Sequence, residues 1–220
     1  MKSVVGGVGS YLALTGARLK AEDLIYAGIA THYVKSTKLE ELKRALIDAT
    51  EADEPSNLGD CAAGVLTSLN DDNIDLDASF LCQHRQDIDY AFDGKESIEE
   101  ILASLESMGS DSQFGQSTLK TLRQMSPTSL KVTLEGLKRG GKAQTIGEAL
   151  QMEYRMSQAF MRKGSDFYEG IRATLVDKDG NPKWSPSNLD EVTEEIVESY
   201  FDELGDKELI FSEGKETAKL

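Results

Sequence analysis

What this 220-residue sequence lacks narrows it first. Its two cysteines, Cys61 and Cys82, show no metal-site spacing, and so few thiols in a chain of this size read as reduced side chains rather than a disulfide framework. It has only two histidines. His32 sits in a β-branched segment and His84 in an acidic one, and both read as structural. No Gly-x-Ser-x-Gly elbow and no His-Glu-x-x-His helix occurs, which removes two common hydrolase sites. Gly6-Gly7-Val8-Gly9 lacks the preceding strand and the Lys-Ser/Thr ending of a phosphate loop. No run approaches the roughly 18 apolar residues of a membrane span. The N-terminus has neither a secretory nor a transit pattern, and the chain holds no internal repeat and no low-complexity segment.

What is present is a globular composition, 39% hydrophobic and 29% charged, with a net charge of −15 that is unevenly spread. Residues 51–112 carry 16 acidic and 2 basic side chains, residues 115–163 carry 9 basic and 3 acidic, and residues 185–220 carry 11 acidic and 3 basic. The acidic ends repel nucleic acid and anionic membrane, so neither is an expected partner. The basic middle reads either as solvated helix faces or as a local attraction for a polyanion.

The periodicity is helical almost throughout. Val4 to Leu14 is apolar nearly all round, as in a helix covered on several sides, with Gly16 as its stop. Ala21 to Ala27 ends at Gly28. Ile29-Ala30-Thr31-His32-Tyr33-Val34 is the one convincing strand. A lone strand needs a partner, so a sheet is missing from this chain, and both the first helix and residues 29–34 should stand exposed for their apolarity. Helices are expected from Ser36 or Thr37 with Leu39, Leu42, Leu46 and Ala49 at helical spacing, from Cys61 to Leu69, from Leu76 to Phe92, and from Ile98 to Met108. Ser126 with Pro127 opens another that Gly140-Gly141 closes. Thr145 and Glu148 fit a capping box for a helix to Lys163, with Ala149, Met152, Met156 and Phe160 as its core stripe. Asp166 caps a helix through Leu175, Asp179-Gly180-Asn181-Pro182 turns, and Leu189 to Leu204 is the last helix.

Several blocks are more specific than periodicity: Met125-Ser126-Pro127-Thr128-Ser129-Leu130-Lys131, Glu153-Tyr154-Arg155, Asp166-Phe167-Tyr168-Glu169-Gly170-Ile171-Arg172-Ala173 and Asp177-Lys178-Asp179-Gly180-Asn181-Pro182-Lys183-Trp184. Near the start stand Gly9-Ser10-Tyr11-Leu12-Ala13-Leu14-Thr15-Gly16-Ala17-Arg18-Leu19 and Ala27-Gly28-Ile29-Ala30-Thr31-His32-Tyr33-Val34. Together they closely resemble the C-terminal half of the 3-hydroxyisobutyryl-CoA hydrolase family within the crotonase (enoyl-CoA hydratase/isomerase) superfamily. The helical insertion over residues 51–125 resembles the hydrolase subgroup rather than simple hydratases.

The resemblance implies a mainly α chain, the C-terminal helical part of a crotonase-type α/β (ββα spiral) fold with one short strand near residues 29–34. Residues 1–35 would be the last part of the spiral core, 36–205 the helical C-terminal region, and 206–220 an exposed tail. It implies thioester hydrolysis in valine breakdown. Two backbone N–H groups would hold the carbonyl oxygen, and a glutamate in a Pro-Glu-Thr type motif and an aspartate in a Pro-Asp-Val-Gly type motif would act on it. Neither motif occurs here, so no catalytic residue is expected in this chain, and the missing N-terminal half is an expected partner. No cofactor is expected, since coenzyme A is part of the acyl-CoA substrate. In related crotonases the last core helix brings a phenylalanine and a lysine to coenzyme A, often from a neighbouring subunit, which makes a homo-oligomer a further expectation. Lys178 falls near the lysine position with Lys183 as a second cation, while Thr174 stands where the phenylalanine would be; the plainer reading of both lysines is surface charge. Ala218-Lys219-Leu220 resembles a peroxisomal import tripeptide, and family members also occur in mitochondria.

Overall fold

The computed structural model describes residues 6–52 and 58–211, the side chains of residues 51 and 52 excepted. Twelve α-helices appear among them: α1 (Val8–Thr15), α2 (Ala21–Tyr26), α3 (Leu39–Ala52), α4 (Leu58–Leu69), α5 (Phe80–Gln83), α6 (Arg85–Phe92), α7 (Ile98–Ser107), α8 (Gln113–Gln124), α9 (Pro127–Gly140), α10 (Ile146–Phe160), α11 (Asp166–Ile171) and α12 (Glu194–Glu198). Among the described residues there is no strand, and no helix is long and apolar enough to cross a membrane.

The core lies where α1 meets α6, α7, α8 and α9. Ile88, Ala91, Ile98, Ile101, Leu105 and Leu122 are fully enclosed there. Tyr11 of α1 meets Phe92 edge-on at 5.4 Å and lies 5.8 Å from Phe114, ring geometries that add to plain area burial. Gly7 lets α1 approach α6: a Cβ there would lie 2.7 Å from the Ile88 carbonyl oxygen. Val8, Tyr11 and Leu14 face inward. The first helix is thus covered on its inner side and not unusually exposed overall. Val4 and Val5 lie outside the described residues. A separate pair, α3 and α4, packs mainly on itself, and α10 lies against α9, where Gly136 admits the Met156 side chain.

Several expectations hold at the level of caps. The Ser126 hydroxyl accepts from the Ser129 N–H at 3.0 Å with Pro127 in the first turn, Thr145 accepts from Glu148 at 3.1 Å, and Gly16 and Gly28 take positive φ after their helices. Glu148, however, returns its carboxylate to the Gln144 N–H rather than to Thr145. Both cysteines are free of a disulfide.

Other expectations are corrected. Residues 29–34 form no strand: extended backbone becomes one only with a ladder partner, and here its groups go elsewhere. The Tyr33 N–H donates to Asn70 Oδ1 at 2.7 Å, the Tyr33 carbonyl accepts from Asp71 at 2.8 Å, and Ile29 is 50% exposed. The helix expected from Leu76 to Phe92 breaks into a 3-10 turn at Leu76–Ala78, α5 and α6, because extended Ser79 caps α5 and gives its hydroxyl to buried Asp23. The helix expected from Leu189 to Leu204 shrinks to a 3-10 turn at Leu189–Glu191 and α12. Between them extended Val192 is buried and Thr193 caps α12. Ser165, not Asp166, precedes α11, and α10 ends at Phe160 rather than Lys163.

Candidate functional site

Three blocks far apart in sequence meet around α11. The Ser126 hydroxyl, besides capping α9, donates to Asp166 Oδ2 at 2.6 Å, and the other Asp166 oxygen accepts the Ser185 N–H at 2.9 Å. This enclosed carboxylate joins the α9 start, the α11 start and the loop after residue 177. A buried charge is tolerated because each oxygen has a donor. Trp184 donates its Nε1–H to the Gln124 carbonyl at 3.0 Å, and its ring lies over Gly170, where a Cβ would sit 3.4 Å away.

Beyond α11 the helix widens into a π turn, Arg172–Val176, closed by the Asp177 N–H on the Arg172 carbonyl at 2.8 Å. Arg172 forks onto Glu169 at 2.8 Å through both oxygens and reaches Asp177 at 2.6 Å, Asp179 at 2.7 Å and the Asn181 carbonyl at 3.2 Å. The fork on Glu169, and then the Lys183 N–H, pull its carboxyl down to about 2; Arg172 and then the Asn181 N–H lower Asp179. The guanidinium itself is held charged, first by Glu169 and then by the two aspartates.

Beside this cluster runs an open apolar groove of about 530 Å³. Ala13 and Leu14 of α1, Leu130 and Thr133 of α9, Phe160, Ile171 and Thr174 form its walls. At its lip Leu175 is 65% exposed, and Val176 beside it in the chain 69%.

Lys178 and Lys183 both lie on the loop that Arg172 gathers. Lys178 sits between the two gathered aspartates at φ 55, a conformation few residues with a side chain adopt. Lys183 gives its backbone N–H to Glu169 at 2.6 Å. Both side chains are exposed, and among the described residues neither ammonium forms an ion pair. Thr174 lines the groove, as a small polar residue where the resemblance places an aromatic one.

Other candidate groups lie elsewhere. His32 touches Thr31 at 2.9 Å and Thr67 at 3.4 Å, and His84 stacks on Phe114 with Phe80 tilted against it. Neither lines the groove. Arg155 of the Glu153-Tyr154-Arg155 block pairs with Glu208 at 3.0 Å, tying residues 204–211 along α10, with Ile210 81% exposed. A smaller cavity of about 320 Å³ between α7, α9 and α12 carries five glutamates with Lys131 and Lys138, each lysine already paired at 2.9 and 3.0 Å. The sequence reading missed the Asp166 latch and the Arg172 centre. Their only signal was that these residues fell within the specific blocks.

The described residues form a helical layer with an open apolar groove and the most specific blocks crowded along one edge, and the comparisons identify the fold to which that layer belongs. The chain belongs to the enoyl-CoA hydratase/isomerase family, whose model matches residues 1–201. Among individual proteins it is 44% identical to mitochondrial 3-hydroxyisobutyryl-CoA hydrolase of Homo sapiens over 94% of its own length, and 39% identical to the Dictyostelium discoideum enzyme of the same name over 92%. It spans about half the length of these curated relatives, 51% in both cases, and the match falls on their C-terminal portion. Two crystal structures share its fold. One is a carnitinyl-CoA dehydratase from Mycobacterium thermoresistibile (TM-score 0.78, 34% identity, 96% of this chain and 56% of that one). The other is an enoyl-CoA hydratase from Rhodobacter sphaeroides (TM-score 0.75, 33% identity, 94% and 55%).

Proposed function

We propose that this chain is the C-terminal helical half of an acyl-CoA thioester hydrolase that cleaves 3-hydroxyisobutyryl-CoA to coenzyme A and 3-hydroxyisobutyrate. Residues 1–35 belong with the spiral core and residues 36–205 form the helical layer over it; residues 206–211, expected as part of a tail, are instead tied along α10, and residues 212–220 lie outside the described residues. The oxyanion donors and catalytic carboxylates come from the half of the enzyme that this chain does not span. In this reading the chain's own residues bind and cover: the groove receives apolar surface of the N-terminal half, and Lys178 and Lys183 meet phosphates of the coenzyme. The observation that carries it is that the blocks most particular to the hydrolases meet around α11, beside an open apolar groove and joined to the loop that carries Lys178 and Lys183. The relatives' names favour the mitochondrion as the setting; Ala218-Lys219-Leu220 lies outside the described residues.

The test separates hydrolase from hydratase. The chain combined with a separately expressed N-terminal half should release free thiol from 3-hydroxyisobutyryl-CoA, read with a thiol-reactive dye. Hydration of an enoyl-CoA with no thiol release would contradict the reading. A purely associating protein shares the groove but predicts neither product.

A further inference from the structure

Arg172 is surrounded by more carboxylate than a single guanidinium neutralises, and each of its five N–H donors is occupied. Nε and Nη2 hold Glu169, Nη1 holds Asp177 and Asp179, and Nη2 also reaches the Asn181 carbonyl. No donor remains for a ligand. Those bonds instead shape residues 177–183. The π turn ends on the Arg172 carbonyl, the Gly180 N–H returns to the Ala173 carbonyl at 3.0 Å, and Lys178 is held at its unfavourable positive φ between two captured aspartates. Glu169, oriented by the fork, also fixes the backbone of Lys183. Both acids of this loop, with Glu169 of α11, turn onto one arginine; among the described residues neither lysine forms an ion pair, and Lys183 acts on Asp179 only through longer-range charge.

From this geometry we infer that Arg172 is a positioning residue for coenzyme A: it captures the loop's carboxylates so that Lys178 and Lys183 stand without an ion-pair partner on a fixed loop for the nucleotide phosphates. The inference rests on the hydrolase reading above, and on those lysines meeting the phosphates. Without Arg172, Asp177 and Asp179 are the nearest anions along the chain and would pair with the lysines in place of the ligand. π turns of this kind recur at functional positions because the widened backbone redirects the residues beyond it.

The experiment compares KM for 3-hydroxyisobutyryl-CoA with KM for the same acyl group on pantetheine, which has no nucleotide phosphates, in the complex of this chain with its N-terminal half. Arg172→Gln should shrink the advantage of the coenzyme A thioester by about tenfold, the size of one charge-assisted contact. The double variant Lys178→Ala with Lys183→Ala should shrink it as much or more, and adding it to Arg172→Gln should change little further. A role in folding alone would affect both thioesters alike and leave the ratio unmoved. Asp177→Asn with Asp179→Asn in the Arg172→Gln background should restore part of the ratio, and this fails if the arginine acts only on the backbone. If the lysine double variant shifts the ratio and Arg172→Gln does not, the inference falls while the hydrolase reading stands. If neither shifts it, the phosphate assignment falls. If neither thioester is cleaved, the hydrolase reading itself falls.

Discussion

Asp166 shows how single residues organise the site. Its carboxylate is 7% exposed and takes one donor from each of two distant segments, Ser126 and the Ser185 backbone. Asp166→Ala should cost about 2 kcal/mol, the usual worth of hydrogen bonds to a charged group, in urea unfolding. Ser185→Ala should cost little, because its contribution is a main-chain N–H. Glu169 makes a pH-dependent contribution. Its carboxyl is lowered from 4.5 to about 2 in the folded chain. A depressed carboxyl stabilises above its unfolded value and loses that contribution as pH falls through its folded value. Resistance to thermal unfolding should therefore fall between about pH 4.5 and pH 2, and Glu169→Gln should narrow the gap between melting temperatures at neutral and acid pH. An equal gap in both proteins would contradict the assignment.

Elements differ in how far they can be read from residues alone, and the difference is one of distance along the chain. The start of α9 at Ser126-Pro127 and the stops at Gly16 and Gly28 were legible because caps act over three or four residues. The breaks inside 76–92 and 189–204 were not. Ser79 leaves the helix for Asp23, 56 residues away, and Val192 leaves it for a buried site where its carbonyl meets Lys131. Residues 29–34 have strand chemistry without a strand, because a strand is a relation between two segments and the described residues supply one. The Asp166 latch needs segments 40 and 19 residues apart, so neither contact was visible in sequence. Packing between elements makes its own prediction. Gly7→Ala must drive α1 from α6 against the Ile88 carbonyl and the Asp93 N–H, 2.7 and 2.8 Å from the new Cβ. It should cost about 1–3 kcal/mol. Gly9→Ala, which meets nothing within 4 Å, should be neutral or gain roughly 0.5–1 kcal/mol from helix propensity.

As a whole molecule the chain is a helical layer with one face finished and one open. The finished face is the core of α1 and α6 to α9. The open face is the groove with Leu175 at its edge, and it accords with a chain that matches about half of each relative. On this account the groove is a joint, and activity belongs to the joined enzyme. The most direct test is coenzyme A release from 3-hydroxyisobutyryl-CoA by this chain alone, by the N-terminal half alone, and by their equimolar mixture, with Leu175→Asp run in parallel. The account predicts that neither half is active, that the mixture is, and that Leu175→Asp abolishes the mixture's activity while the variant chain melts at the wild-type temperature, since Leu175 is exposed. Hydrolysis by the chain alone at the rate of the mixture would contradict it.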